Sequence, residues 1–558
     1  MAILAPLLFK ATQYLTMNRF RNLCAQPEET QIELLRKILH VNCNTTIGRH
    51  YKFESIHSFK SFQRHVPLLE YDAIESYITR EMNGASQQLT RSKPILFATT
   101  SGTTGTSKFI PVTLESREAK SQLMRVWLTS LYQDHPQIFQ GRILTVVSPE
   151  VESYTPCGIP CGAESGHAYR NMSRVVQNLY SAPYSAFEIR DYDTKYYCLL
   201  RIAVMQDISM IASCNPSTIL LLAKKLNEFR DQIIQDVHDG TVTPPAALPP
   251  ELADFIVTNY PASPARAREL QKLCERRDGR MLPCDIWKGL QVIACWKGGT
   301  VGNYLQQFPL YYPENIAVRD LGYLASELRG SVPLTDTGSD GVLAVGTNVY
   351  EFYSADLDTP PTPEELLTIA DLQEGQQYFL ITTTLGGLYR YPMNDIIEVT
   401  GFYEKTPLIR FIQKGKGIVS FTGEKLTETQ VMNAMEDTLR GMEYHSEFIA
   451  AVGIMQEDKP QYIFLVEFSQ IPDDSTGRRL ASTLEASLRN RNQEYSGKRD
   501  SQRLHPPLIT VVQSGGLENY RKRMIQSGKL DGQFKFLRIT STPAFLDEFE
   551  LIKSFQPG

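Results

Sequence analysis

Phe97-Ala98-Thr99-Thr100-Ser101-Gly102-Thr103-Thr104-Gly105-Thr106-Ser107-Lys108 is the stretch on which the reading of this chain turns. A short apolar run, Pro94 to Ala98, leads into it and reads as a strand giving way to a loop. Glycine lets backbone N–H groups converge on an anion, the threonine and serine hydroxyls add donors, and Lys108 adds a point charge. Those are the ingredients of a phosphate cradle. By composition alone the same run also fits a polar surface loop. It is not a P-loop of the G-x-x-x-x-G-K-[ST] type, because position 107, where that pattern needs glycine, holds Ser107.

Outward from the loop, strands and helices alternate. Ser116 to Tyr132 reads as a helix and Ile143 to Val147 as a buried strand. Upstream, Ile32, Leu34, Leu35, Ile38 and Leu39 recur at helical spacing between Thr30 and Val41. Downstream, helical patterns at Ser217 to Phe229 and Ala265 to Arg277 flank a proline-rich connection at Pro244-Pro245 and Pro249-Pro250. Further strands are expected at Leu290 to Trp296, Gly341 to Val345, Tyr378 to Thr383 and Asp395 to Thr400. This alternation predicts an α/β body with mixed sheets. Composition changes at Gln413-Lys414-Gly415-Lys416-Gly417. Beyond it lie a helix (Thr427 to Arg440), strands near Phe448 to Ile454 and Tyr462 to Phe468, and a helix from Arg479 to Arg489. The expected division is therefore 1–413 and 414–558, the second part being a small α/β domain of about 140 residues.

Composition narrows the function classes. Apolar residues make up 42% and charged residues 21%, an ordinary globular profile. With 57 basic and 62 acidic side chains the formal net charge is −5, and no dense Lys/Arg run offers a nucleic-acid surface. The nine cysteines are an odd count with none beyond Cys295, which argues for reduced thiols in a cytoplasmic setting. Cys157 and Cys161 read as two small buried thiols in a turn rather than half of a zinc site. The apolar N-terminus lacks a basic n-region and a clean cleavage site, so a packing helix is expected there and no spanning segment anywhere. No HExxH, G-x-S-x-G or strand-borne G-x-G-x-x-G is present, which weakens zinc hydrolase, α/β-hydrolase and dinucleotide oxidoreductase readings together.

Phe97 to Gly105 with Lys108 and Ile110-Pro111 resembles the phosphate loop of adenylate-forming enzymes. In detail it is similar to the auxin-responsive family of acyl-acid amido synthetases and its bacterial relatives. Two more segments fall in the expected order: Gly322-Tyr323-Leu324-Ala325-Ser326-Glu327, and Gly387-Leu388-Tyr389-Arg390-Tyr391-Pro392-Met393-Asn394-Asp395 running on to Val399-Thr400-Gly401-Phe402. The likeness extends from about Gln31 to near the C-terminus. It implies a large N-terminal domain with mixed β-sheets, a β-barrel and αβ layers, and a small mobile C-terminal α/β cap.

The implied activity is ATP-dependent adenylation of a carboxylic acid, followed by transfer of the acyl group to an amine, with ATP and Mg²⁺ as cofactors. Thr100, Ser101, Gly102, Thr103, Thr104, Gly105 and Lys108 would hold the ATP phosphates, where transfer needs charge neutralisation more than covalent help. By resemblance Glu327 would bind magnesium, Tyr323 would lie near the adenine, and Ser326 and Arg410 would belong to the nucleotide site. Asp395 would accept hydrogen bonds from the ribose hydroxyls, which suits a carboxylate's two acceptor oxygens. The family usually has glycine where this chain has Asn394, and asparagine tolerates left-handed backbone angles better than most residues.

Arg410-Phe411 leads into a hinge near Lys414, and Ser420 to Glu428 matches the strand–turn–helix that opens the cap. Lys535, in Gly532-Gln533-Phe534-Lys535, would reach the α-phosphate or the acyl carboxylate, with Lys529 as its rival. Arg125, on the helix after the phosphate loop, is the residue expected to meet a substrate charge; a solvent-facing Arg125 is the alternative. Trp127, Tyr180 and Tyr184 line either an aryl site or the core. The expected partners are a small carboxylic acid and an amino acid, with no nucleic acid, no membrane and a monomeric state. The competing readings are an acid–thiol (acyl-CoA) ligase and a non-catalytic nucleotide-binding relative.

Overall fold

Two helices, α1 (Leu4–Ala25) and α2 (Pro27–Asn42), open the chain. Pro27 begins α2, where a missing N–H costs nothing, and Glu28 and Glu29 occupy the first turn, where the helix dipole favours negative charge. Leu34, Leu35, Ile38 and Leu39 are buried, as their spacing predicts. Gln31 is buried on the same face. Its Nε2 donates to the carbonyls of Val345 (2.6 Å) and Asn348 (2.7 Å), and its Oε1 accepts the Tyr350 N–H at 2.8 Å. One amide thus fastens the helix to the backbone of a sheet.

The computed structural model describes residues 4–101, 107–357, 360–415, 417–440, 444, 446–517, 519–520, 523 and 538–558. The chain divides into two compact units, one of Met1–Thr100 and Phe109–Gln413, the other of Ser101–Lys108 and Lys414–Gly558. Three sheets build the larger one. The first, in the order β2-β1-β5-β4, joins β1 (Leu96–Ser101), β2 (Ser107–Val112), β4 (Ser153–Tyr154) and β5 (Pro160–Gly162). β1 and β5 are parallel, with Phe97 opposite Cys161 and Ala98 opposite Gly162. The second sheet is parallel throughout and runs β3 (Arg142–Thr145), β6 (Ile208–Ala212), β7 (Val292–Ala294), β8 (Ala317–Arg319). β3, β6 and β7 are almost wholly buried, as expected where helices cover both faces.

The third sheet holds β9 (Ser331–Val332), β10 (Gly341–Leu343), β11 (Asn348–Ser354), β12 (Gln377–Thr384), β13 (Tyr391–Tyr403) and β14 (Thr406–Lys414), in the order β11-β12-β13-β14-β10-β9. The pairs β9–β10, β10–β14, β11–β12 and β12–β13 are antiparallel. Helix α3 (Leu114–Asp134) follows β2 at once. Thr113 caps it reciprocally with Ser116: Thr113 Oγ1 accepts the Ser116 N–H and Ser116 Oγ accepts the Thr113 N–H. Trp127 of α3 is buried in the core and donates from Nε1 to the Asp320 carbonyl at 2.8 Å. A short helix, α4 (Glu164–Arg170), follows β5.

The smaller unit has a five-stranded sheet in the order β20-β17-β18-β19-β21, formed by β17 (Ser446–Gln456), β18 (Lys459–Phe468), β19 (Leu508–Val512), β20 (Ile539–Thr540) and β21 (Leu551–Phe555). Helices α5 (Glu428–Leu439) and α6 (Asp474–Arg491) contribute Val431, Met435, Leu480, Leu484 and Leu488 to its core. The segment expected to be strand–turn–helix is a small ladder, β15 (Ile418–Val419) against β16 (Leu426–Thr427), running straight into α5. Its turn closes around the buried Glu424 carboxylate, which accepts from the N–H groups of Phe421 (2.8 Å) and Thr422 (2.7 Å) and from Tyr462 Oη (2.5 Å).

The cysteines are free thiols. Cys161 is buried but Cys157 is exposed, which corrects the expectation of two buried thiols. Among the described residues no helix is long and apolar enough to cross a membrane.

Candidate active site

Asp320 holds the Gly322-Tyr323 turn in place. Its Oδ1 accepts the Gly322 N–H and its Oδ2 the Lys297 N–H, both at 2.6 Å, while Trp296 Nε1 donates to the Gly322 carbonyl at 3.0 Å. Burial pushes the Asp320 carboxyl up to about 6, against the pull of those donors. From this turn Tyr323 reaches into the core and donates from Oη to Asp395 Oδ2 at 2.5 Å. Burial first, and then the Asp395 charge beside it, drives the Tyr323 phenol well above its ordinary value. The Tyr323 ring lies nearly parallel to Phe411, centroids 6.2 Å apart and planes 9° from each other.

Asp395 stands on β13, directly after Asn394, which adopts φ 52°. That is the left-handed region, so asparagine here takes the conformation for which glycine is usual. Arg390, earlier in the same segment, also has positive φ and is buried beside Glu351. The Gly386-Gly387 turn that precedes this segment packs closely on β2 and on Leu89. A Cβ added at Gly386 would come within 2.8 Å of the Pro111 carbonyl oxygen, and one at Gly387 (φ 99°) within 2.8 Å of Leu89 Cβ. Only glycine permits that approach. Thr113 Oγ1 donates to the Leu385 carbonyl at 3.3 Å, and the Phe109 N–H donates to Tyr71 Oη at 2.9 Å.

Tyr391 shows which charges share this space. Burial raises its phenol, and the charges of Glu327, Tyr71, Glu70 and Asp395 add to the rise. Glu327 acts on Tyr323 as well. Tyr323 and Asp395 are thus hydrogen-bonded, and Glu327 lies near enough for its charge to act on the Tyr323 and Tyr391 phenols. Thr100, the penultimate residue of β1, is buried, and Thr99 Oγ1 is buried with no hydrogen-bond partner among the described residues.

The other expected residues fall less evenly. Ser326 contributes its carbonyl, which accepts from Lys120 Nζ at 3.1 Å; the same Nζ pairs with Glu164 Oε2 at 2.7 Å. Arg410 donates from Nη2 to Glu398 Oε1 at 2.9 Å, and its Nε is buried without a partner among the described residues. Arg125 is exposed, the alternative of the two placements weighed for it. The cation that α3 turns toward the Ser326 segment is Lys120. Lys108 is half-buried near the start of β2, and Ser101 ends β1. Gly102, Thr103, Thr104, Gly105, Lys529 and Lys535 lie outside the described residues. Lys120 and Glu164 escaped the sequence reading, yet Lys120 has a visible signal. It continues the stripe Ser116, Leu123, Trp127 at steps of four, three and four, so a lone cation stands on an otherwise buried face.

The whole chain was compared with known proteins. Residues 16–316 match the GH3 family N-terminal domain, 341–414 the GH3 family central domain and 429–544 the GH3 family C-terminal domain. Indole-3-acetic acid-amido synthetase GH3.4 of Arabidopsis thaliana is 24% identical, with 98% of this chain and 95% of that protein aligned. Jasmonoyl--L-amino acid synthetase GH3.5 of Oryza sativa subsp. japonica is 22% identical over 95% of this chain and 94% of its own length. The solved structure of the GH3.15 acyl acid amido synthetase shares the fold, with a TM-score of 0.65 at 20% identity, covering 97% of this chain and 96% of that one. Three domain matches in order, spanning most of the sequence, establish that the chain belongs to the GH3 family.

Proposed function

We propose that this chain is an adenylate-forming acid–amine ligase: it activates a carboxylic acid with ATP and passes the acyl group to an amino acid, releasing pyrophosphate and AMP. One observation carries the reading. The Gly386-Gly387 turn packs on Pro111, while the strand that follows it delivers Asp395 to Tyr323 and Glu327. Pro111 of β2 and the carboxylate assigned to the sugar are thereby held in one framework.

In this reading Asp395 holds the ribose hydroxyls, since a carboxylate is an acceptor with two oxygens suited to a vicinal diol. Thr99, Thr100 and the following loop supply donors to the phosphates, and Lys108 supplies positive charge as the acid's oxygen attacks the α-phosphorus. The orphaned Thr99 hydroxyl and Arg410 Nε are the donors an anionic nucleotide would satisfy. A single half-buried carboxylate, Glu327, fits Mg²⁺, which takes one or two protein carboxylates and fills its remaining positions with water and phosphate. When bound, Mg²⁺ would neutralise charge on the departing pyrophosphate. Lys535 as the lysine that meets the acyl carboxylate, and a hinge near Lys414, rest on the family resemblance.

The relatives differ in the acid their names carry, indole-3-acetic in one and jasmonic in another, so the acid is left to experiment. Exchange of labelled pyrophosphate into ATP, with a panel of aryl and alkyl acids, tests the first half-reaction. Mass spectrometry of products formed with amino acids or with CoA tests the second. Acid-dependent exchange with an amide product is expected. Silence across the panel ends the ligase reading, and a thioester in place of an amide assigns the acid–thiol alternative.

A further inference from the structure

Outside the residues described above, the larger unit contains a carboxylate–imidazole pair with no role in nucleotide binding. His167, on α4, is 6% exposed. Its Nδ1 lies 2.7 Å from Glu150 Oε1. The second oxygen of Glu150 accepts from Arg170 Nη1 at 3.1 Å, and the Glu150 N–H donates to Tyr184 Oη at 2.8 Å. A carboxylate offers only acceptors, so Nδ1 carries the proton and Nε2 is the lone-pair nitrogen. The neighbouring Asn171 amide donates to the His167 carbonyl at 2.8 Å. Nε2 itself is buried with no hydrogen-bond partner among the described residues.

The pairing is built, not incidental. A Cβ added at Gly166 would fall 2.4 Å from both the Glu150 nitrogen and the Ser148 oxygen, so α4 rests directly on the backbone that carries Glu150. A buried imidazole nitrogen with no partner among the described residues is destabilising, and folding alone gives no reason for it.

Its position supplies the reason. Glu164 precedes His167 by three residues on α4, so the two side chains share a face. Glu164 binds Lys120 at 2.7 Å, and Lys120 reaches the carbonyl of Ser326 at 3.1 Å, the residue before Glu327. The imidazole thus stands one helical turn from Glu164, whose partner Lys120 reaches the candidate active site.

We propose that His167, oriented by Glu150, is the base that takes the proton from the acceptor amine; the inference rests on the ligase reading above. The free amine attacks the acyl-adenylate and its lone pair forms the C–N bond. The bond from the acyl carbon to the phosphate oxygen breaks, and that electron pair leaves with AMP. The proton shed by nitrogen passes to Nε2, giving an imidazolium whose charge Glu150 offsets, and is later released to water. A base oriented by a buried carboxylate is the arrangement that nucleophile activation uses in unrelated folds.

The test separates the two half-reactions in the full-length chain, with the acid that gives the fastest exchange. His167→Ala is expected to keep acid-dependent ATP–pyrophosphate exchange, which also reports correct folding. It is expected to lose amide formation with amino acids about 10²-fold or more. Hydroxylamine, a strong nucleophile already uncharged at neutral pH, needs no base, so the variant should still form hydroxamate at the native rate. Glu150→Gln keeps an acceptor for Nδ1 without its charge, and should lower kcat for amide formation while leaving KM for the amine unchanged. His167→Gln replaces His167→Ala if the alanine variant does not fold. Native amide formation by either histidine variant overturns the proposal, as does parallel loss of exchange, hydroxamate and amide. Absence of exchange by the unmodified protein with every acid removes the ligase reading and this inference with it.

Discussion

Arg390 and Glu351 meet in the core of the larger unit as a forked pair, with Nε and Nη2 at 2.9 and 2.8 Å from the two carboxylate oxygens. Both side chains are sealed from water. Arg390 also donates from Nη1 to the carbonyls of Gln63 (2.8 Å) and Val66. Its φ of 46° is costly for a side chain of this size, and these bonds hold it there. The pair anchors the segment that ends in Asp395.

Breaking one half should therefore be severe. Arg390→Met strands a buried carboxylate and is expected to destabilise by about 3–5 kcal/mol, whereas the double replacement Arg390→Met with Glu351→Leu should recover most of the loss. Denaturant unfolding of the four proteins of the cycle checks this. Additive losses in the double variant would show that the two side chains act independently.

Tyr323→Phe leaves the ring over Phe411 and removes the donor to Asp395. Loss of one hydrogen bond to a buried charged group is expected to destabilise by about 1–3 kcal/mol. If Asp395 grips the ribose, isothermal titration with a non-hydrolysable ATP analogue should also show weaker binding. Unchanged affinity together with reduced stability would restrict the bond to a structural role.

Lys120→Met separates the ion pair from the carbonyl it supports. The Lys120–Glu164 pair is partly exposed, so the ionic part is worth about 0.2–1 kcal/mol at most. Unfolding midpoints should hardly move. Exchange activity should fall roughly tenfold to hundredfold, because the Ser326-Glu327 segment loses the donor that positions it.

Stability should also change with pH through Glu81. Its Oε1 accepts the N–H groups of Gln88 (3.2 Å) and Leu89 (3.1 Å), and burial pushes the carboxyl up to about 7. The unfolded chain ionises this group near the ordinary value of about 4.3, so between there and 7 the folded form binds a proton the unfolded form has lost. Stability from this group is complete below the lower value and is lost as pH rises through the higher one. The difference amounts to about 4 kcal/mol at most. The urea midpoint of the unmodified protein should therefore fall from about pH 5 to about pH 8 by more than that of Glu81→Gln, which carries no titrating group there. Equal pH dependence in the two proteins would contradict the assignment.

Much of this architecture could be read from the chain. The stripe on α2, the helix at Leu114–Asp134 and the strands β17 and β18 all follow from apolar periodicity, and the structure has them within a few residues of expectation. β2 was harder, because Pro111 inside a run argues against a strand. The order β2-β1-β5-β4 places β2 at a sheet edge, where a missing N–H is tolerated. At the site, Tyr323 and Asp395 stand together, although their separation of dozens of residues in sequence hides the contact. Lys120 went unnoticed because a single lysine in a helix carries no pattern until the buried stripe is drawn through it. Arg125 was chosen for its charge, yet it lies two positions from Leu123 and two from Trp127, off the buried face of the same helix. Glu351 and Arg390 could not be paired from sequence, since it takes the pairing of β11 with β12 and of β12 with β13 to bring them together.

The fit of Gly386 against Pro111 bears on how such a protein could change what it acts on. Between them is clearance for a hydrogen atom, and a methyl there would work like a shim, prying the Asp395 strand away from β2. That end of the molecule has no slack. His167, held by Glu150, touches none of those atoms, so new amines can be tried at its end while the other stays fixed.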